Sequence, residues 1–516
     1  MRPSIVIATL VVVGLAAGGA YYGLEVYSQQ QFRAGLDQAL ATLPPGTTAS
    51  YKTAHYSILS HEAVVTGMTV HGEIPGTPPQ PFDVTAATIT TEQPNLDFPA
   101  SWSRALAAPA TFGPDSALPV AASVTMTGLT VHSAVINLTE DSIHGTNLRL
   151  YPWALLHNGM PSWQDLHAAL TPHPGPPDAA VLQKVLRAEA AVVMGVGYDS
   201  YEAGSTKVTE ALPGIDIQYD IRKVTGDGLD RGTMKGASGE DITFRGSKFG
   251  VISIDRVAIG PIDIREAMTR LVNGEALSAG LLNGINIGRI DYNGITAQPP
   301  GQAAMHIGGV SLGPVAFASG IPVSGKIGWT DISVARDQVS DPRVQQVFDR
   351  LGLQTMTMSF AFAYDWDIAQ QRVSLHDTML KINELGTITV AAELTNAFPN
   401  LIGLTQIRLA HARLRFDDAS LVNRALRAGA AQSGTDPVAY RQQIVEMVRQ
   451  QGNTQGVVSP ALTAACNAAG DFIASPHSLT IELSPAQPVP VMALKGMNAS
   501  PAMLASTLGL VVSATQ

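Results

Sequence analysis

Period-two alternation of apolar and polar residues runs through most of this 516-residue chain and limits its fold more than any other feature. Val, Ile and Thr at every second position, broken by Gly, Pro and Asn, specify half-buried β-strands, because successive side chains on a strand point to opposite faces. The phrase TGMTVH at 66–71 returns as TGLTVH at 127–132, differing only by Met68 against Leu129. DYNGITAQ, AAMHIGGVSLG and GKIGWTDISVA are looser versions. In each, a turn, often with Gly, is expected to lead into alternating apolar residues. His71 and His132 then share a face with Thr69 and Thr130, opposite Met68/Val70 and Leu129/Val131, and that is the wetter face of a half-buried sheet. Metal binding by this pair would need a third ligand, and none can be named from the sequence.

The alternation divides the chain. Residues 46–160 read as a first β-rich region and 161–197 as a helical insertion, in which Ser162 can cap WQDLHAAL and Leu182, Val185, Leu186 and Ala190 fall at helical spacing. Residues 198–405 form a second β-rich region interrupted by two helices, IREAMTRLVNGEALSAGLL and DPRVQQVFDRLG. Residues 406–516 change to three helical segments, each opened by Asp or Ser, before HSLTIELSPAQPVPVMAL returns to one strand and a Pro-rich turn. The predicted class is α+β, mainly β: an elongated antiparallel sheet body with helical insertions and a mainly helical C-terminal module.

The N-terminus adds a location. Residues 4–24 carry no charge, close to the roughly 20 residues that cross a bilayer as a helix. Arg2 and the amino terminus precede the run and Glu25 follows it, so the positive-inside rule exports everything after it. We expect a signal-anchor over 1–27 and a juxtamembrane helix over 28–45. Cleavage after Ala20 is the alternative, and the apolar residues continuing through Leu24 favour the anchor. The expected localisation is the bacterial inner membrane, single-pass, with the bulk of the chain in the periplasm.

Composition narrows the partners. A net charge of −10 without a basic run argues against nucleic acid, which demands clustered Lys and Arg. Charged residues make up 14%, against roughly 25% in ordinary soluble proteins, so much of the surface must pack against the chain itself, a partner or lipid. Cys466 is the single cysteine, so no intrachain disulfide and no cysteine-based metal cluster can form.

No catalytic, cofactor or metal residue is assigned. His61-Glu62 opens a zincin-like motif, but Val65 stands where the second His belongs and the segment reads as strand. Gly236-Ala237-Ser238-Gly239 approaches a nucleophile elbow, yet Glu240 replaces its final Gly. Gly195-Val196-Gly197 lacks the third glycine of a dinucleotide loop. Cys466 reads as a packed residue on a helix. Asp365 and Asp367 flank Trp366 on one strand face and read as exposed strand-end acids; Asp417 and Asp418 sit where a strand meets a helix and suit its capping and dipole.

With the apolar start, SYKTAHYSILSHEAVVTGMTV, LKINELGTITVAAEL, LRFDDASLVNRAL and SLTIELSPAQPVPVMAL in view, the chain resembles the YdgA-like bacterial envelope proteins, a family of unknown function, and more loosely the AsmA-like group. It departs from enterobacterial YdgA-like members in its Ala/Pro-rich composition and its helical stretch at 163–192. The resemblance implies inner-membrane anchoring, an elongated β-rich periplasmic body and no catalytic residue. It also implies a link to envelope maintenance, since AsmA-like proteins are associated with outer-membrane assembly and phospholipid movement. The leading expectation is a non-enzymatic envelope protein that handles lipid or another envelope partner. A secreted hydrolase on glycans or esters and a scaffold for an envelope complex are the alternatives.

Overall fold

The computed structural model describes residues 33, 36–37, 40 and 46–515, apart from 58–59, 75–79, 96, 134–135, 157–178, 213–214, 277, 399–405, 452–458 and 493–499. The expected anchor over 4–24, nearly all of the juxtamembrane helix and the expected helix after Ser162 lie outside the described residues. Among the described residues no helix is long and apolar enough to cross a membrane. The chain is mainly β and antiparallel, and it divides into two compact units. One is Met1–Tyr292 with Ala297–Gln302 and Phe317–Gly320; the other is Asn293–Thr296 and Ala303–Ala316 with Ile321–Gln516. The second β-rich region read from the sequence is therefore shared between them.

In the first unit, short strands β1 (Thr48–Ser50) and β2 (Thr53–Ser57) pair with β3 (Glu62–Ile74). The sheet continues through β4 (Gln80–Pro94), β5 (Leu118–Ser133) and β6 (Ile136–Leu150). Next come β7 (Val196–Ala203) and β8 (Thr206–Leu212), which both lie between β6 and β9 (Ile215–Asp230). Strands β11 (Gly236–Gly246) and β12 (Gly250–Ile259) follow β9, while the two-residue strands β10 (Thr233–Met234), β13 (Ile262–Asp263) and β14 (Asn286–Ile287) form a small ladder at its end.

The core follows the alternation. Val65, Met68, Val70, Ile89, Met126 and Leu129 are buried on the inner face, and Leu36, from the stretch before β1, packs into the same cluster. The outer face carries hydroxyls in cross-strand rows: Thr69 opposes Thr85 and Thr85 opposes Thr130, with Thr85 and Thr130 hydrogen-bonded at 2.7 Å. Helices α1 (Phe98–Ala107), α2 (Pro152–Leu156), α3 (Ala179–Gly195) and α4 (Arg265–Val272) complete this unit. On α3, Val185, Ala190 and Met194 are buried while Leu182 is exposed.

The repeated phrase does not mark a turn, and this corrects the sequence reading. Strand β3 runs unbroken through Gly67, and β5 through Gly128; both glycines are left-handed, at φ 61° and 58°. At Gly67 one β3–β4 pair is missing between Thr66–Thr88 and Met68–Ala86, and at Gly128 one β5–β6 pair is missing between Thr127–Ser142 and Leu129–Glu140, with the register unchanged on either side. The same left-handed residue followed by an apolar residue and Thr or Ser recurs at Asp241, Gly294 and Asp331, with φ of 49°, 63° and 53°. Each lies inside a continuous strand; at Gly67, Gly128 and Asp241 the pairing resumes beyond it in the same register, so the ladder is interrupted without a slip, while at Asp331 the β18–β19 pairing shifts as at a β-bulge. Gly suits the left-handed position because it lacks Cβ, and Asp is among the few other residues that tolerate it.

The second unit's sheet runs β16 (Met305–Leu312), β18 (Ile321–Ala335), β19 (Thr355–Asp367), β20 (Arg372–Ile382), β21 (Gly386–Thr395), β22 (Arg408–Asp418), β23 (Ser478–Leu483) and β25 (Leu510–Thr515). Strand β24 (Val489–Pro490) pairs with β22, while β15 (Ile290–Gln298) and β17 (Val315–Ala318) are each divided between the two units. Helix α5 (Pro342–Leu351) starts at Asp341, whose side chain accepts from Arg343 N at 2.8 Å, and stops at left-handed Gly352. Residues 406–516 carry the helices α6 (Leu421–Ser433), α7 (Pro437–Gln451), α8 (Pro460–Ala474) and α9 (Pro501–Thr507), and also strands β22–β25 of this sheet.

Candidate functional site

The second unit's sheet is two-faced. On one face Arg413 pairs with Glu482 and Arg415 with Asp417, so this side is charged. On the other, one row stays apolar across seven strands. Val310 opposes Trp329, Trp329 opposes Phe360 and Phe360 opposes Leu380; then Leu380 meets Ile388, Ile388 meets Phe416 and Phe416 meets Leu479. Directly opposed residues share a face, so the row is continuous. Its β22 end is covered, with Phe416 edge-on to Phe472 of α8 at 5.8 Å. Its β18–β20 end is open: Trp329 is 43% exposed, Phe360 36% and Leu380 37%. Scattered apolar residues on a surface need no explanation, whereas these large ones are adjacent across three strands and form one contiguous apolar patch.

The first unit holds an acid on its inner face. Glu140 lies in the row Leu129–Glu140–Thr206–Ile221–Ile242–Ile254 and is only 5% exposed. Thr206 Oγ1 donates to its Oε2, while Oε1 is buried with no hydrogen-bond partner. Burial pushes the carboxyl up to about 7, overriding the lowering effect of the Thr206 bond. Tyr201 is pushed up to about 12, by burial first and by the Glu140 charge second.

A cleft of about 570 Å³ opens at the ends of β6, β7 and β9, where β10, β13 and β14 meet them. Asp230 is its hub. Tyr151 donates its hydroxyl to Asp230, and guanidinium nitrogens of Arg149, Arg231 and Arg265 lie 3.6, 3.3 and 3.5 Å from the carboxylate. Arg231 also pairs with Asp115 and sits over the Tyr151 ring at 5.3 Å. Asp199 is held below the usual carboxylate range, mainly by Arg149 at 2.8 Å and then by Asn147 at 2.8 Å. These residues brace one another. Nothing in the sequence announced them, because they stand on β6, β7, β9 and α4 and meet only through strand pairing.

The residues singled out from the sequence are not brought together into a catalytic set. His61 takes a left-handed turn conformation before β3, and Val65 is buried in the core. His71 and His132 are exposed and both oppose Asp83; His71 Nδ1 bonds Asp83 and His132 Nδ1 bonds Asn137. Among the described residues no three His, Cys, Asp or Glu are gathered to hold a metal ion. Ser238 lies within β11, bonded to Thr225 at 2.7 Å, with no strand-to-helix elbow. Gly195 ends α3 and Gly197 is the second residue of β7, beside Arg149. Cys466 is half-buried on α8. Asp365 is bonded to His376 at 2.7 Å and Asp367 to Gln370 N at 2.9 Å. Asp417 pairs with Arg415, and Asp418 accepts from Val422 N at 3.0 Å in the first turn of α6.

Comparison with known proteins is sparse. A family model described as "Uncharacterized protein" matches residues 372–515, from β20 to the end of β25 and well under half of the chain. No curated protein matches it.

Proposed function

We propose that this is a non-enzymatic envelope protein, anchored in the inner membrane through residues 4–24, whose periplasmic body shields lipid acyl chains. The observation that carries the reading is the open end of the apolar row, Trp329, Phe360 and Leu380, on a sheet whose other face is charged. Leaving three large side chains partly in water costs roughly 25 cal/mol per Å² of apolar area, and an acyl chain laid along the row recovers that term. An apolar stretch long enough to span a bilayer puts such a chain within reach. The likeness to YdgA-like and AsmA-like envelope proteins points the same way.

The test uses Trp329 as its own reporter. Full-length protein in vesicles doped with phospholipid brominated along its acyl chains should lose Trp emission, and Trp329→Phe should remove most of that loss. Trp emission indifferent to the brominated lipid, together with no phospholipid in a detergent-free preparation of the chain after Tyr27, would reject the reading.

A further inference from the structure

We infer that the cleft of the first unit binds a small zwitterion, its ammonium group on Asp263 and its anionic group on Lys235. The charges that line the cleft are of two kinds. Arg149, Asp199 and Asp230 are consumed by the brace. Lys235 and Asp263 line the same space and, among the described residues, stand in no direct ion pair; Lys235 acts only at longer range, as the last of the charges that lower Asp199. One free cation and one free anion facing a common cleft define a receptor for both signs at once, whereas a simple anion or cation would meet repulsion from one of them.

The backbone sets their spacing. Asp263 opposes Thr233 across the β10–β13 ladder, and Lys235 lies at the bend two residues beyond Thr233, at most about 7 Å further along the chain. Two charge-assisted hydrogen bonds of about 2.8 Å and a short ligand core fill a gap of that order. Gly228 keeps the cation in place: a Cβ there would stand 2.8 Å from Lys235 Cδ, so its absence lets the lysine stem lie against β9. Asp263 Oδ1 is steadied by Arg265 N at 3.1 Å. Met234 and Ile262, paired across the ladder, also line the cleft.

Both α-amino acids and phosphoethanolamine, free or as a lipid headgroup, have this chemistry. Calorimetric titration of the full chain in detergent with O-phosphoethanolamine and with alanine separates the sources, and inorganic phosphate and ethanolamine supply each charge alone. We expect at least one zwitterion to bind about tenfold more tightly than either single-charge compound, and Lys235→Gln and Asp263→Asn each to weaken it about tenfold. Both side chains are exposed and stand outside the brace, so these variants retain the fold. The inference is overturned if neither zwitterion binds at about 10 mM, if phosphate alone binds as tightly, or if both variants bind as the native chain does. The Trp329 quenching result is independent of all these outcomes.

Discussion

Glu140→Gln is expected to flatten the pH dependence of the first unit's stability and to make it more stable than the native chain above pH 7. The carboxyl is raised from 4.5 to about 7 in the folded protein because it is buried among Leu129, Thr206 and the isoleucines of its row. The folded state therefore holds its proton more tightly than the unfolded chain. Stability from this group is fully present below about pH 4.5 and falls as the pH rises to about 7, where the folded carboxyl ionises too; above that it is flat. The loss is on the order of 3 kcal/mol at about 1.4 kcal/mol for each pH unit of displacement. Asp141, whose charge acts in the same direction, steepens the loss. Gln carries no proton to lose, so the slope between pH 5 and 7 disappears. Urea unfolding midpoints followed between pH 5 and 8 decide the matter, and equal slopes for the two proteins would show that Glu140 stays ionised in the fold.

Gly128→Val is expected to cost about 3 kcal/mol, with Gly128→Asp costing about half as much. Two effects add. Any side chain at φ 58° adopts the left-handed conformation against its preference, and a β-branched one most of all. A Cβ at Gly128 would also stand 2.9 Å from the Ala87 Cβ on β4. Asp meets the second problem but less of the first, since Asp241 and Asp331 already occupy equivalent left-handed positions inside strands. Thermal unfolding of both variants gives the ranking, and a valine variant as stable as the aspartate one would remove the left-handed backbone as the reason for the repeated phrase.

That phrase shows how far the residues alone could be read. Its alternation placed Met68, Val70 and Leu129 inward and His71 and His132 outward, and the burial agrees, because a strand has only two faces. Its glycines were misread as turns. A left-handed glycine serves a turn and a kink within a continuous strand equally well, and the partner strand, distant in sequence, decides which forms. The helices starting at Pro342 and Leu421 were legible from their flanking acids, whereas α1 and β25 went unread for lack of sustained periodicity. His71 and His132 do both oppose one acid, Asp83, but only the β3–β4–β5 register shows it.

By itself, then, the sequence determined a mainly β, antiparallel chain, the inward and outward face of its strands, and a charge balance unsuited to nucleic acid. These are local properties, set by side-chain period and composition. Only the tertiary structure decided which strands meet, and with them the apolar row from Val310 to Leu479, the burial of Glu140 and the cleft around Asp230. Cross-strand neighbours lie tens of residues apart along the chain, and a one-residue change of register would replace every one of those partners.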